Sequence, residues 1–162
     1  MQDPDTRWLQ RYSNFEKTFL LLTEALRVES PTVLERAGLI QFFEMAFDLS
    51  WKLLEDYEQL EGIVAKSPRE VIKQAHLIEL IREGHQWIDA LGDRNLVAHA
   101  YKEETAQTVE QNIRKRYYFL IADLYETFKA KKTEVDTEDG PVRKDNSSTD
   151  GSRLTRTRPV AY

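Results

Sequence analysis

The chain has 162 residues, 41% of them apolar and 31% charged, with 6 glycines, 5 prolines and a net charge of −5. That is the size of one domain with a real core, and the composition is that of a helical protein. The absence of cysteine excludes disulfides, Cys-based zinc sites and thiol nucleophiles. The acidic balance excludes a broad basic face for nucleic acid, though not a small site built from a few groups.

The three histidines, His76, His85 and His99, stand far apart in sequence, which leaves little for a metal cage. No apolar run approaches 18 residues, and Met1-Gln2-Asp3-Pro4-Asp5 lacks the regions of a signal peptide. The expectation is a cytoplasmic protein with no membrane contact, no metal and no cofactor of its own.

Five helices are predicted in chain order. Helix one runs from about Asp5 to Val28, with Trp8, Leu9, Tyr12, Phe15, Phe19, Leu22 and Leu26 recurring at three and four. Pro31 ends it. Helix two runs from about Thr32 to Glu61 and stops at Gly62. It is apolar over most of its girth, with Phe42, Phe43, Phe47 and Trp51 read as core. Such a helix needs cover on two sides, its own bundle and a second subunit.

A narrow polar line remains on helix two: Gln41, Glu44, Asp48, Lys52 and Glu55. It reads as i, i+4 pairing such as Asp48 with Lys52, or as an acidic wall beside a site. Ser67-Pro68-Arg69-Glu70 opens helix three with a capping box, and the helix is expected to reach Arg82. Gly84 punctuates the chain, and helix four covers about His85 to Leu96. Helix five covers about Glu103 to Lys131, along Val109, Ile113, Tyr117, Leu120, Ile121, Leu124 and Phe128.

No strand pattern of any length occurs, so the fold class is all-α, an up-and-down bundle of four to five helices. Residues 1–132 form the helical domain. Residues 133–162 are polar, with few apolar side chains, and are expected to be a disordered tail.

The chemistry concentrates in Asp93-Arg94-Asn95-Leu96-Val97-Ala98-His99-Ala100-Tyr101. Arginine is always charged and grips phosphate through a planar fork. Histidine titrates near neutral pH and moves protons. Together they suffice for metal-free RNA cleavage: His99 as acid or base, Arg94 stabilising charge on the phosphorane. On a straight helix the two lie roughly 140° apart. They converge only if the helix breaks between them or a second subunit contributes. Asn95 shares a face with His99.

Spacing alone also fits a structural role for all four, with Asn95 as a cap and Tyr101 as a core or interface ring. His76 and His85 read as surface residues. Arg114-Lys115-Arg116 is a solvated helix face or an RNA-backbone contact.

Five blocks carry a resemblance: Ile40-Gln41-Phe42-Phe43-Glu44, Phe47-Asp48-Leu49-Ser50-Trp51-Lys52, Ser67-Pro68-Arg69-Glu70-Val71-Ile72, Trp87-Ile88-Asp89-Ala90-Leu91, and Asp93-Arg94-Asn95 through His99-Ala100-Tyr101. With them the chain, from about Asn14 to Phe128, resembles HEPN domain proteins of the HepT type. These were long described as nucleotidyltransferase substrate-binding proteins and are the toxin halves of type VII-like HEPN/MNT toxin–antitoxin pairs. The family signature is Arg, four to six residues, then His, extended in toxins to His-x-Tyr.

The resemblance implies a HEPN-like bundle that forms a homodimer, with two signature segments facing one cleft. It implies that Arg94 and His99 are the catalytic pair of a metal-independent endoribonuclease, with Asn95 in support. Its substrate would be RNA, with tRNA the favoured target. It implies that the cognate MNT nucleotidyltransferase antitoxin, using ATP and magnesium, modifies Tyr101 with AMP and so blocks the cleft. Glu44 and Asp48 match acidic positions of the family's second helix. The alternative is a non-catalytic module that binds substrate for, or regulates, a nucleotidyltransferase.

Overall fold

The computed structural model describes residues 3–140. Among them there is no strand: α1 (Pro4–Ala25), α2 (Val33–Leu60), α3 (Pro68–Leu77), α4 (Gly84–Leu96), α5 (Glu103–Asn112) and α6 (Tyr118–Glu138) make an all-α bundle. A 3₁₀ turn, Val97–His99, follows α4. A π turn, Ile113–Tyr117, joins α5 to α6 in one continuous rod. The expected fifth helix is therefore a single rod with a widened turn inside it.

The caps are where the side chains put them. Thr32 and Glu35 form a reciprocal capping box at α2, and the Ser67 hydroxyl accepts from the Glu70 amide at α3. Helix α3 ends at Leu77, not Arg82. Glu79 adopts a left-handed backbone, φ 62°, and the Leu80 amide donates back to the Ala75 carbonyl at 2.9 Å. This is a Schellman ending with glutamate where glycine is usual. It turns Leu80 and Ile81 into the core, and that burial offsets the cost of roughly 1 kcal/mol or more for the strained residue.

Aromatic rings fill the interior. Trp8 of α1 meets Tyr57 of α2 edge-on at 5.9 Å and Phe128 of α6 at 5.8 Å. Phe19 stacks on Tyr125 at 4.7 Å. Phe47 of α2 contacts Trp87 of α4, and Phe43 stacks on Tyr117 of the π turn. Phe43 and Phe47 are fully buried as expected; Phe42 and Trp51 are only half-buried. Helix α2 packs against all the other helices, and of its large apolar side chains Val33, Leu34, Met45 and Leu60 stay exposed.

Helix α6 runs seven residues past the expected Lys131, to Glu138. Val135 continues its apolar stripe and packs on the core. Lys131 and Lys132 lay their ammonium groups over the Tyr57 and Tyr12 rings. The helix thus takes the first residues of the expected tail; residues 141–162 lie outside the described residues.

One buried carboxyl lacks a partner. Glu58 is 1% exposed, and neither carboxyl oxygen has a hydrogen-bond partner among the described residues. Burial pushes its pKa up to about 8, and the charges of Glu55 and Glu70 add to this. An unfolded glutamate ionises near about 4.3. The contribution of Glu58 to stability is therefore fully present below that value and is lost as pH rises toward 8, by up to about 1.4 kcal/mol per pH unit. Glu58→Gln removes that dependence. Urea denaturation at pH 5 and pH 8.5 is expected to show the variant gaining on the parent at the higher pH; parallel stabilities would refute a neutral Glu58.

Candidate functional site

The site forms where the last turn of α4 crosses α2. Glu44 and Asp48 sit one turn apart on α2, so both reach the same point. The Arg94 Nε and Nη2 donate to the two carboxylate oxygens of Asp48, each at 2.8 Å. Nη2 also lies 3.1 Å from Glu44 Oε1. This parallel two-point contact is the strong form of an arginine–carboxylate pair. The Asp48 hydrogen bond holds the Arg94 pKa above its ordinary value, against partial burial. The polar line of α2 is therefore a wall beside the site, and the partner of Asp48 is Arg94, not Lys52.

Two carboxylates around one guanidinium leave this cluster with a net negative charge. They occupy Nε and Nη2. Nη1 has no polar partner among the described residues and is the nitrogen left for a ligand.

The next residue upstream is tied as firmly. The Asp93 carboxylate accepts from the Tyr117 hydroxyl at 2.7 Å and from Asn112 Nδ2 at 2.8 Å. Tyr117 belongs to the π turn, and its pKa is pushed up by burial and by this bond. Widened turns of this kind re-aim a side chain and recur at functional sites. Sequence reasoning missed this anchor. Its only signal was an aspartate immediately before the arginine.

Beyond Leu96 the α-helix tightens. Val97–His99 form the 3₁₀ turn, the Ala100 amide bonds to Val97, and the Lys102 amide bonds to His99. Between Arg94 and His99 the chain thus passes from α-helix into a 3₁₀ turn. His99 is exposed, and no hydrogen bond among the described residues holds its ring. Tyr101 is 78% exposed, so it is no core ring, and its centroid is 6.4 Å from that of His99. Lys102 sits over the Tyr101 ring. Asn95 is exposed within α4 and caps nothing; the C-cap is Val97. No hydrogen bond among the described residues joins Arg94 to His99.

A cleft of about 330 Å³ opens beside this turn, lined by Arg36, Ala37 and Gln41 of α2 and by Val97, Ala100 and Tyr101. Its far side is tied by Arg36, which bonds to Glu110 at 2.9 Å and to Glu103. These pairs hold both ends of α5 against the start of α2.

The basic run of the π turn, Arg114-Lys115-Arg116, has other duties. Arg114 donates to the carbonyls of Leu26 and Val28 at 2.9 and 2.6 Å, capping the end of α1. Arg116 pairs with Asp89. Neither is a freely solvated cation, and only Lys115 of the three projects alone. Among the described residues no three His, Asp or Glu are grouped to hold a metal, and no helix is long and apolar enough to cross a membrane.

Comparison with known proteins bears on the family and the fold. Residues 10–130 match the family model "Nucleotidyltransferase substrate binding protein like". A solved structure from Thermus thermophilus is similar at TM-score 0.64 and 32% identity, covering 68% of this chain and 94% of that one. A Haemophilus influenzae structure, described as revealing the fold of a substrate binding domain of a nucleotidyltransferase, shares the fold at TM-score 0.57 and 21% identity, over 78% of this chain and 99% of that one. "Probable ribonuclease HepT" of Haemophilus influenzae is 29% identical over 82 residues, 48% of this chain; the match spans 56% of that relative. The chain belongs to the nucleotidyltransferase substrate binding protein-like family, the HEPN-type family whose motifs it carries.

Proposed function

We propose that the protein is a metal-independent endoribonuclease and the toxin of a toxin–antitoxin pair, with Arg94 and His99 as its catalytic residues. The observation that carries this reading is the break in α4. It follows a firmly clamped Arg94 and leaves His99 and Tyr101 together and exposed on a short turn. His99 takes the proton from an RNA 2′-hydroxyl as that oxygen attacks the adjacent phosphorus. Arg94, through Nη1, stabilises the charge on the phosphorane, and the 5′-oxygen leaves with a proton from water while His99 returns its proton to solvent. The products are a 2′,3′-cyclic phosphate and a 5′-hydroxyl. The similarity to a relative named as a ribonuclease supports the assignment.

The exposed Tyr101 hydroxyl is the acceptor for AMP from a nucleotidyltransferase antitoxin that uses ATP and magnesium. The adduct adds charge and bulk beside His99. A homodimer would set two such turns face to face, and tRNA is the favoured substrate, in the cytoplasm.

The test is incubation of the purified, unmodified chain with bulk tRNA in EDTA. Fragments ending in cyclic phosphate support the reading. Intact tRNA refutes it and favours a non-catalytic partner of a nucleotidyltransferase, a reading supported by the net negative charge around Arg94. Co-expression with the antitoxin is expected to raise the mass in steps of AMP, and Tyr101→Phe to abolish the rise. A rise that persists in that variant would place the modification elsewhere.

A further inference from the structure

The proposed centre is poorly built to attract a polyanion. Arg94 is outnumbered by Glu44 and Asp48, Asp93 stands beside it, and Glu103 and Glu104 open α5. If RNA is bound, attraction must come from elsewhere on the chain. A groove between α3 and α4 has the needed chemistry.

The groove encloses about 480 Å³, within the usual size of a small-ligand site. Its floor is apolar, from Ile72 and Ile88, with Leu77 at its exposed edge, and its rim carries basic side chains. Arg69, Lys73 and His76 stand on successive turns of one face of α3, opposite Arg82 and His85. The two acids on the rim are Glu83 and Asp89, and Asp89 is already paired with Arg116.

The arginines distinguish this place from the rest of the surface. Every other arginine among the described residues is bonded to a carboxylate, an amide or a carbonyl. Arg69 and Arg82 have no such partner among the described residues, and both line this groove. An unpaired guanidinium on an acidic protein has its fork free for phosphate. The left-handed Glu79 turn is what brings Arg82 back beside His76. Gly84 lets the start of α4 come close, since a Cβ there would stand 3.2 Å from His76 Cγ.

A track leads from the groove to the signature. His85, Ile88, Gly92 and Asn95 recur at three, four and three on α4 and so share a face. Gly92 is exposed with open space above it, so backbone as well as side chain is accessible. From His85 to Asn95 is about 15 Å along the axis, the reach of a few nucleotides.

We propose that the α3–α4 groove is a phosphate-binding subsite for the RNA strand, remote from the point of cleavage. Arg69, Lys73 and Arg82 grip its backbone, and the strand runs along α4 to Arg94 and His99. The proposal rests on the ribonuclease reading above.

The test is fluorescence anisotropy with a labelled 2′-O-methyl RNA, which binds but lacks the attacking hydroxyl. The variant is Arg69→Gln/Lys73→Gln/Arg82→Gln, all exposed positions. The control is Lys17→Gln/Arg27→Gln/Lys129→Gln, which removes equal charge elsewhere. The groove variant is expected to bind about tenfold or more weakly than the control at about 0.1 M salt, where phosphate contacts still count strongly. Its log Kd against log salt should lose about two units of slope, as for three lost phosphate contacts on a single strand. Cleavage of a dinucleotide, which fills only the centre, should be unchanged.

Binding within twofold of the control overturns the groove while leaving the nuclease reading intact. So does normal RNA binding with loss of the nucleotidyltransferase partner, which would make the groove a protein-docking surface. A parent protein that binds no RNA overturns both.

Discussion

His99→Ala is expected to lower tRNA cleavage in EDTA by about 10²–10⁴-fold, the usual contribution of a positioned acid or base. The fold should be untouched. His99 is exposed on a 3₁₀ turn, and no hydrogen bond among the described residues uses its ring. Exposed substitutions of that kind change stability by no more than about 0.5 kcal/mol. A loss of cleavage with an unchanged thermal transition therefore assigns His99 to chemistry. In cells the same variant should no longer arrest growth. A variant that still cleaves, or still arrests growth, removes His99 from the mechanism and returns the family's Arg–His spacing to a structural role.

Asp48→Asn is expected to split kcat from KM. Asp48 holds two of the three guanidinium nitrogens of Arg94, which leaves Nη1 without a polar partner among the described residues. An asparagine supplies one acceptor oxygen and no charge, so Arg94 loses its fixed plane. We expect kcat to fall by about tenfold or more, because the charge no longer meets the phosphorane in register. KM for RNA should not rise and should fall modestly, since one carboxylate that repels phosphate is gone. Stability should drop by about 1–3 kcal/mol, the range for a hydrogen bond to a charged group, with Glu44 still neutralising Arg94. Steady-state kinetics and urea denaturation read the two effects separately. An unchanged kcat would mean that the clamp fastens α4 to α2 and does nothing for catalysis.

The two substitutions test different links. His99 concerns the reacting proton, and Asp48 concerns the placing of a charge. The Asp93–Tyr117 bond belongs with Asp48, because it ties the last turn of α4 to the π turn. Arg94 is thus held by α2 directly and by the π turn through its neighbour.

Much of this was legible in the residue order. The period of three and four in Trp8, Tyr12, Phe15, Phe19 and Leu22 marks a buried helical face, and each of these residues is buried. The caps at Thr32 and Ser67 are local, so a few residues determine them. The conjunction of Arg94, His99 and Tyr101 drew attention because of residue type alone. So did Glu44 and Asp48, whose spacing required a shared face but named no partner.

What the order of residues could not decide is who meets whom across helices. Asp48 had a local candidate in Lys52, yet Arg94 lies 46 positions away and wins, because its planar fork matches both carboxylate oxygens while lysine offers a point charge. Arg114 looked like a solvated cation until the end of α1 came close enough to present two carbonyls. The early stop of α3 depends on Leu80 and Ile81 finding a core, which outweighs the missing glycine at Glu79. Helical periodicity and capping are short-range and survive in one dimension. Charge pairing, helix ends held by burial and the unpaired arginines of the α3–α4 groove exist only once distant segments pack.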